Sequence, residues 1–244
     1  MSDPKLDPRY LEWRKDIEEF FAAVPVAEPT ETSTSPDGRF RLEIAEYTGD
    51  GKYFSRGIVR RLANSEMVAD VKRNYSDFWY RWISHPNGNE YLLCGEDYQG
   101  HSCVNLTDGA YHVDFPDDGY RGAGFCWTAA YPSPDGLVLA VDGCYWGCDY
   151  ELVFFDFRDP DRLPYPELGR AERSTYGIEG WTDDETFAYT HLTSLRASDG
   201  VEYGSLSDEE KAELRRNPSL VSRREDRIVS SRPQVLDGPE STTR

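Results

Sequence analysis

Nine side chains in this 244-residue chain belong to types that ligate metals or serve as nucleophiles and bases: Cys94, Cys103, Cys126, Cys144, Cys148, His85, His101, His112 and His191. Thiolates and imidazoles in tetrahedral arrangement would hold zinc. The spacing offers one such set, Cys144-x3-Cys148 joined by Cys94, Cys103 or His101. No second matching pair completes a zinc motif, and a free cysteine is also a good small core residue. Buried thiols are therefore the preferred reading, and no cofactor or metal is expected. An odd, irregularly spaced set of cysteines does not describe a secreted disulfide framework. No phosphate loop, dinucleotide fingerprint, Gly-x-Ser-x-Gly elbow or His-Glu-x-x-His stands in the chain. With 45 acidic residues, paired carboxylates carry no information without geometry. A small hydrolase or metal-dependent enzyme using Asp, His and Cys of the loops is the alternative reading rather than the main one.

A second set of residues suits binding instead. Three segments, 46–53 (EYTGDGKY), 96–102 (EDYQGHS) and 142–151 (DGCYWGCDYE), mix aromatic and acidic residues. They supply Tyr47, Asp50, Tyr53, Asp97, Tyr98, His101, Tyr145, Trp146 and Asp149 as candidate partner-binding residues, with Glu46, Glu96 and Asp142 beside them. Tyr and Trp are enriched in interface cores, and acids around them favour a basic or cationic partner. The competing reading is that the rings cap hairpins and the acids keep the loops hydrated.

What must position these segments is a repeated unit. Ser35-Pro36-Asp37-Gly38, His85-Pro86-Asn87-Gly88 and Ser133-Pro134-Asp135-Gly136 are matching turns, their glycines 50 and 48 residues apart. Pro fixes φ, Asp or Asn bonds its own backbone, and Gly accepts φ > 0. A further step of 48 reaches Trp181-Thr182-Asp183-Asp184, a degraded copy. Trp79 and Trp127 each stand nine residues before a turn glycine. The pattern predicts strands over 40–44, 55–62, 67–71 and 78–83, then 91–93, 103–106 and 111–115, then 137–141 and 152–157, then 175–180, 186–190 and 200–204. The two prolines of 163–168 make that segment an edge strand or a loop. Units of about 40–50 residues with four short strands fit propeller blades. An ordinary antiparallel meander or sandwich is the competing fold.

The segments SPDGRFRLEI, HPNGNEYLLCG and SPDGLVLAV resemble the repeats of TolB-like and WD-type β-propellers, over about residues 33–206. The resemblance implies an all-β, antiparallel β-propeller-like repeat array of about four blades. That number is at the bottom of the usual range, so a small closed ring and an open array are both compatible with it. It implies a fold and no particular activity. Ahead of the repeats, Asp7-Pro8 predicts a helix over 7–24 whose face Tyr10, Trp13, Ile17, Phe20, Phe21 and Val24 packs on the β domain. Ser207-Asp208-Glu209-Glu210 predicts a capping box and a short helix over 207–216. Residues 217–244, rich in Ser, Arg and Pro, read as a disordered tail.

A net charge of −18, from 27 basic and 45 acidic residues, argues against nucleic acid and anionic membrane as partners. Aromatic content of 14% supplies enough large rings for a core. No apolar run approaches the roughly 20 residues of a membrane span, and MSDPKLDPRY lacks the apolar stretch of a secretory signal. The expectation is a cytoplasmic interaction module of inhibitor, immunity or adaptor type that docks a basic protein through the aromatic and acidic loops.

Overall fold

Each repeat opens on a turn wired in the same way. In the first, Ser35 Oγ donates to Asp37 Oδ1 (2.6 Å) and accepts from the Phe40 amide (2.9 Å), while Gly38 sits at φ +72°. The third copies it at Ser133, Asp135, Val138 and Gly136 with near-identical distances. His85 takes the serine slot in the second. Its Nδ1 accepts from the Asn87 amide (3.2 Å), which leaves Nε2 to donate to the Phe157 carbonyl (2.9 Å) of the next repeat. Only the fourth has no Gly, and there Asp183 alone holds the Glu185 amide (2.8 Å).

The computed structural model describes residues 8–97, 99–114, 124–145 and 148–233, with residues 8–10 described by backbone only. From these turns grow four antiparallel meanders. The first is β1 (Glu31–Thr34), β2 (Phe40–Gly49), β3 (Lys52–Arg61) and β4 (Met67–Arg73). The second is β5 (Arg81–Ser84), β6 (Glu90–Cys94), β7 (His101–Asn105) and β8 (Tyr111–Asp114). The third is β9 (Phe125–Pro132), β10 (Val138–Tyr145), β11 (Tyr150–Asp156) and β12 (Glu167–Arg170). The fourth has β13 (Gly177–Trp181), β14 (Thr186–Arg196) and β15 (Val221–Ser231). Strand order follows chain order in all four, as in propeller blades.

The sheets stack face to face through three apolar layers. Phe40, Leu42, Val59 and Val71 meet Leu92, Val104 and Leu106 between the first and second. Trp79, Tyr91, Leu93 and Cys103 meet Trp127, Leu139, Val141 and Phe157 between the second and third. Val138, Ala140, Leu152 and Phe154 meet Phe187 and Tyr189 between the third and fourth. Among the described residues no such layer joins the fourth sheet to the first.

The free face of the first sheet is covered by α1 (Pro8–Ala23), which lays Ile17, Phe20 and Phe21 on Ala45, Tyr47 and Phe54. Arg14 and Glu18 fasten the helix to β4 through the Lys72 carbonyl (3.0 Å) and the Lys72 ammonium. Asp7, the expected N-cap, lies outside the described residues.

Two expectations are corrected. The 217–244 segment is not a tail throughout: residues 221–231 form β15, paired with β14 in eleven register positions from Arg196↔Val221 to Thr186↔Ser231. Its charges concealed it, because here they pair along and across the sheet, Arg224 with Asp226 (2.9 Å) and Arg227 with Glu179 (2.9 Å). In turn, 200–204 is no strand but part of a 197–220 insert between β14 and β15. That insert carries α2 (Asp208–Arg216), whose Ser207 and Glu210 close the capping box. No helix among the described residues is long and apolar enough to cross a membrane.

Because α1 closes an otherwise wet apolar face, Ile17→Ala should destabilise the fold by about 2–4 kcal/mol in urea unfolding. Leu11→Ala on the same helix, at a side chain 51% exposed, should stay within about 0.5 kcal/mol.

Candidate functional site

Identical strand order puts equivalent connections at the same end of every sheet. The Ser-Pro-Asp-Gly turns form one end. The other end, the loop end, carries the β2–β3, β6–β7 and β10–β11 connections, the links from each sheet to the next, and the 197–220 insert. Hydrogen bonds run along this end from sheet to sheet. The Asn74 amide donates to the Glu96 carbonyl (3.0 Å), the Gly124 amide to Gln99 Oε1 (3.3 Å), the Thr175 amide to the Tyr150 carbonyl (2.9 Å), and Thr175 Oγ1 to Asp142. The three aromatic and acidic segments therefore emerge side by side.

Their side chains do not all face water. Tyr47 is buried beneath α1, its ring edge-on to Phe21 at 4.9 Å and its hydroxyl accepting from the Ala27 amide (3.3 Å). Alternation along β2 turns Tyr47 to the face that α1 needs. Asp97 is buried too, accepting from the Gln99 amide (2.7 Å), from Asn74 and from the Trp13 indole. Burial raises its carboxyl above the usual range, while these bonds and the nearby Arg73 pull it back. Arg73 is itself buried, with burial lowering its pKa, and donates to the carbonyls of Asp77, Gly95 and Asp97 at 2.8–2.9 Å. Glu96 pairs with Arg14 (3.3 Å) and accepts from the Tyr111 hydroxyl. The acids of the second segment thus bind α1 and the first sheet.

His101 is a core residue. Its ring stacks on Trp127, centroids 3.9 Å apart at 13°, and burial pushes its pKa down to about 3. Asp114, 3.7 Å from Nδ1, is pushed up to about 6 by burial. Desolvation outweighs attraction at that distance, so the imidazole is neutral. Tyr145 is half-buried and its hydroxyl accepts from Arg170 (2.8 Å). Asp50, Tyr53 and Asp149 are exposed. Tyr98 and Trp146 lie outside the described residues.

Three tyrosines not among the sequence-predicted candidates also stand at the loop end: Tyr75 after β4, Tyr150 opening β11 within the 142–151 segment, and Tyr176 before β13. With Tyr53 they are the exposed large aromatic side chains among the described residues, 41–62% accessible. Tyr75 and Tyr176 sit in sheet-to-sheet links, a register the repeated loop motif does not mark. Their signal in the sequence was the position just after or just before a strand end.

The cysteines are all free, and Cys94 and Cys103 are fully buried. Among the described residues no group of three His, Cys, Asp or Glu is arranged to hold a metal ion. The Cys144, Cys148, Cys94, Cys103 and His101 alternative has no assembled site there. Arg56, Arg60 and Arg61, neighbouring bases on β3, are all engaged by acids: Arg56 pairs with Asp70 (2.7 Å), Arg60 with Glu43 (3.2 Å) and Arg61 with Glu66 (3.7 Å). A cleft at the turn end, lined by Asp156, Arg158, Asp159 and Arg162, contains none of the candidate residues.

No protein-family model matches the chain. It is 33% identical over 178 residues to uncharacterized protein R762 of Acanthamoeba polyphaga mimivirus, covering 69% of each. Among solved structures it is similar to TolB from Acinetobacter baumannii (14% identity, TM-score 0.40), over 69% of this chain and 39% of that one. It is similar also to the Cps50 (Swd1) β-propeller domain of Myceliophteria thermophila (15% identity, TM-score 0.38), over 72% of this chain and 49% of that one. The chain thus spans less than half the length of either.

The buried histidine gives a signed pH dependence. His101 has a folded pKa of about 3 against about 6.5 when unfolded, so the unfolded chain binds the extra proton. Its contribution is complete above pH ~6.5 and is lost as pH falls toward 3, at up to about 1.4 kcal/mol per pH unit. Asp114 acts in the opposite sense between its unfolded pKa of ~3.9 and about 6. Comparison of wild type with His101→Phe, which keeps a ring on Trp127, isolates the first effect. Wild-type stability should fall relative to the variant on acidification through that window; parallel curves would contradict the assignment.

Proposed function

The chain belongs to the family of the mimivirus protein R762, and on that premise we propose that it is a protein-interaction module that docks a basic protein through the loop end of its sheets. The observation that carries this reading is the segregation of exposed rings. Tyr53, Tyr75, Tyr150 and Tyr176 come from the first, third and fourth repeats and their links, yet all stand at one end. Exposed acids accompany them at Asp50, Asp77 and Asp149. Tyrosine contributes large, rigid contact area and a hydroxyl, and the acids would steer a cationic partner and fix its register. Tyr47, Asp97, His101 and Tyr145 act as the scaffold of that surface. Inhibitor, immunity factor and adaptor all fit such a module.

Affinity capture at low and high salt tests the reading, with a Tyr53→Ala, Tyr75→Ala, Tyr150→Ala, Asp149→Asn variant as comparison. A genuine partner should be basic by composition, be released by high salt as screening lengths shorten, and bind the variant at least ~10-fold more weakly. Capture that is indifferent to the variant, or of acidic proteins, would refute it. Circular dichroism of the variant should match wild type, and any small loss in unfolding midpoint should trace to Tyr75, whose ring the Arg73 guanidinium overlies at 5.8 Å.

A further inference from the structure

Two thiols lie opposite one another at the loop end of the third sheet. The β9–β10 register pairs Cys126 with Cys144, two positions beyond a bulge at Asp142/Gly143. Directly opposed residues of an antiparallel pair have Cα atoms about 4.5–5.5 Å apart, inside the roughly 4.4–6.8 Å window that a disulfide needs. The Cys126 thiol donates to the Gly124 carbonyl (3.8 Å), and the Cys126 and Cys144 thiols are close enough to influence one another electrostatically. Cys126 is buried, whereas Cys144 is half-buried and next to solvent-exposed Cys148. At Gly143 an added Cβ would come within 2.4 Å of the Cys126 carbonyl, so the two strands approach closely there.

We propose that Cys126 and Cys144 are a modification site, oxidised to a cross-strand disulfide by low-molecular-weight disulfides such as oxidised glutathione. The reachable Cys144 thiolate attacks the reagent, giving a mixed disulfide on Cys144 and releasing one reduced thiol. The Cys126 thiolate then attacks Cys144 Sγ, forming the Cys126–Cys144 bond and expelling the second reduced thiol. The protein loses two electrons and two protons, and the reagent gains them as two thiols. Burial raises the Cys126 thiol to about 11, with the nearby Cys144 and Asp97 adding to the effect, and burial also raises Cys144. Exchange is therefore slow at neutral pH and faster in alkali, because the thiolate is the nucleophile. The bond would staple β9 to β10 beside Tyr145. This site does not depend on the partner-binding reading.

The test incubates native protein with excess oxidised glutathione at mildly alkaline pH, then unfolds it, alkylates it without reduction and maps the peptides. The expected result is a peptide pair joining Cys126 to Cys144, with alkylatable thiols falling from five to three, and the same pair in Cys148→Ser. Full alkylation of all five thiols, a Cys144–Cys148 link in place of the expected one, or glutathione retained on Cys144 would each overturn the proposal. In Cys126→Ser, glutathione should remain on Cys144 or move to Cys148; if that variant does not fold, the wild-type and Cys148→Ser maps decide alone.

Discussion

Burial of sheets that are apolar on both faces is the constraint from which the rest of this structure follows. Along β2, Leu42 and Ile44 point to the second sheet while Ala45 and Tyr47 point the other way. Such a sheet cannot face water on either side without exposing large apolar area, at roughly 25 cal/mol per Å2. The second and third sheets satisfy this by lying between neighbours. The first satisfies it with α1. In the fourth, the outer side of the β14–β15 pair is largely polar, with Thr190 opposite Arg227, Arg227 ion-paired to Glu179, and Val229 the exposed aliphatic residue. A helix over one outer face and a largely polar surface on the other let the two outer sheets meet water without exposing large apolar area.

The same constraint explains why acids of the second segment turn inward. α1 must be held against the first sheet, and its Trp13 and Arg14 reach Asp97 and Glu96 in the next repeat. Arg73, itself buried, donates to three carbonyls, Gly95 and Asp97 in the bend after β6 and Asp77 in the link before β5, and so satisfies backbone that no strand pairs. Each buried charge is surrounded by partners, as a low-dielectric site demands. The cap and the first inter-sheet layer are consequently tied together by shared contacts.

Much of the fold was legible in the chain because turn chemistry is local. Ser-Pro-Asp-Gly specifies its own hydrogen bonds, and three copies at regular spacing fix where strands begin. The amphipathic face of α1 was equally plain. β15 was not, because its pairing with β14 crosses a 24-residue stretch of chain from 197 to 220 that includes a helix, and its Arg and Asp residues look like solvated tail until β14 is beside them. The candidate site was legible as a set of segments and illegible as a set of side chains. Alternation along β2 sends Tyr47 under α1, and stacking on Trp127 removes His101 from solvent. Both are tertiary facts that a motif cannot carry.

Which residues remain at the loop end is then informative about what that end is for. The inward side chains, Tyr47, Asp97 and His101, are consumed by packing, so exchanging them acts first on stability. Tyr53, Tyr150 and Tyr176 are more exposed than these, and Tyr75, 41% accessible, keeps a face to solvent while the Arg73 guanidinium lies over its ring at 5.8 Å. Single exposed apolar residues are ordinary on any surface, but random placement would scatter rings over both ends, and the turn end has none among the described residues. β2 and β3 also run ten residues each, carrying Tyr53 and Asp50 beyond the end of the neighbouring five-residue strands β6 and β7. On the proposed reading that extended hairpin forms one wall of a surface, with Tyr75, Tyr150 and Tyr176 along its floor. The stack supplies rigidity and the loop end supplies contact, so changes in affinity and changes in stability should fall on different residues of the same segments.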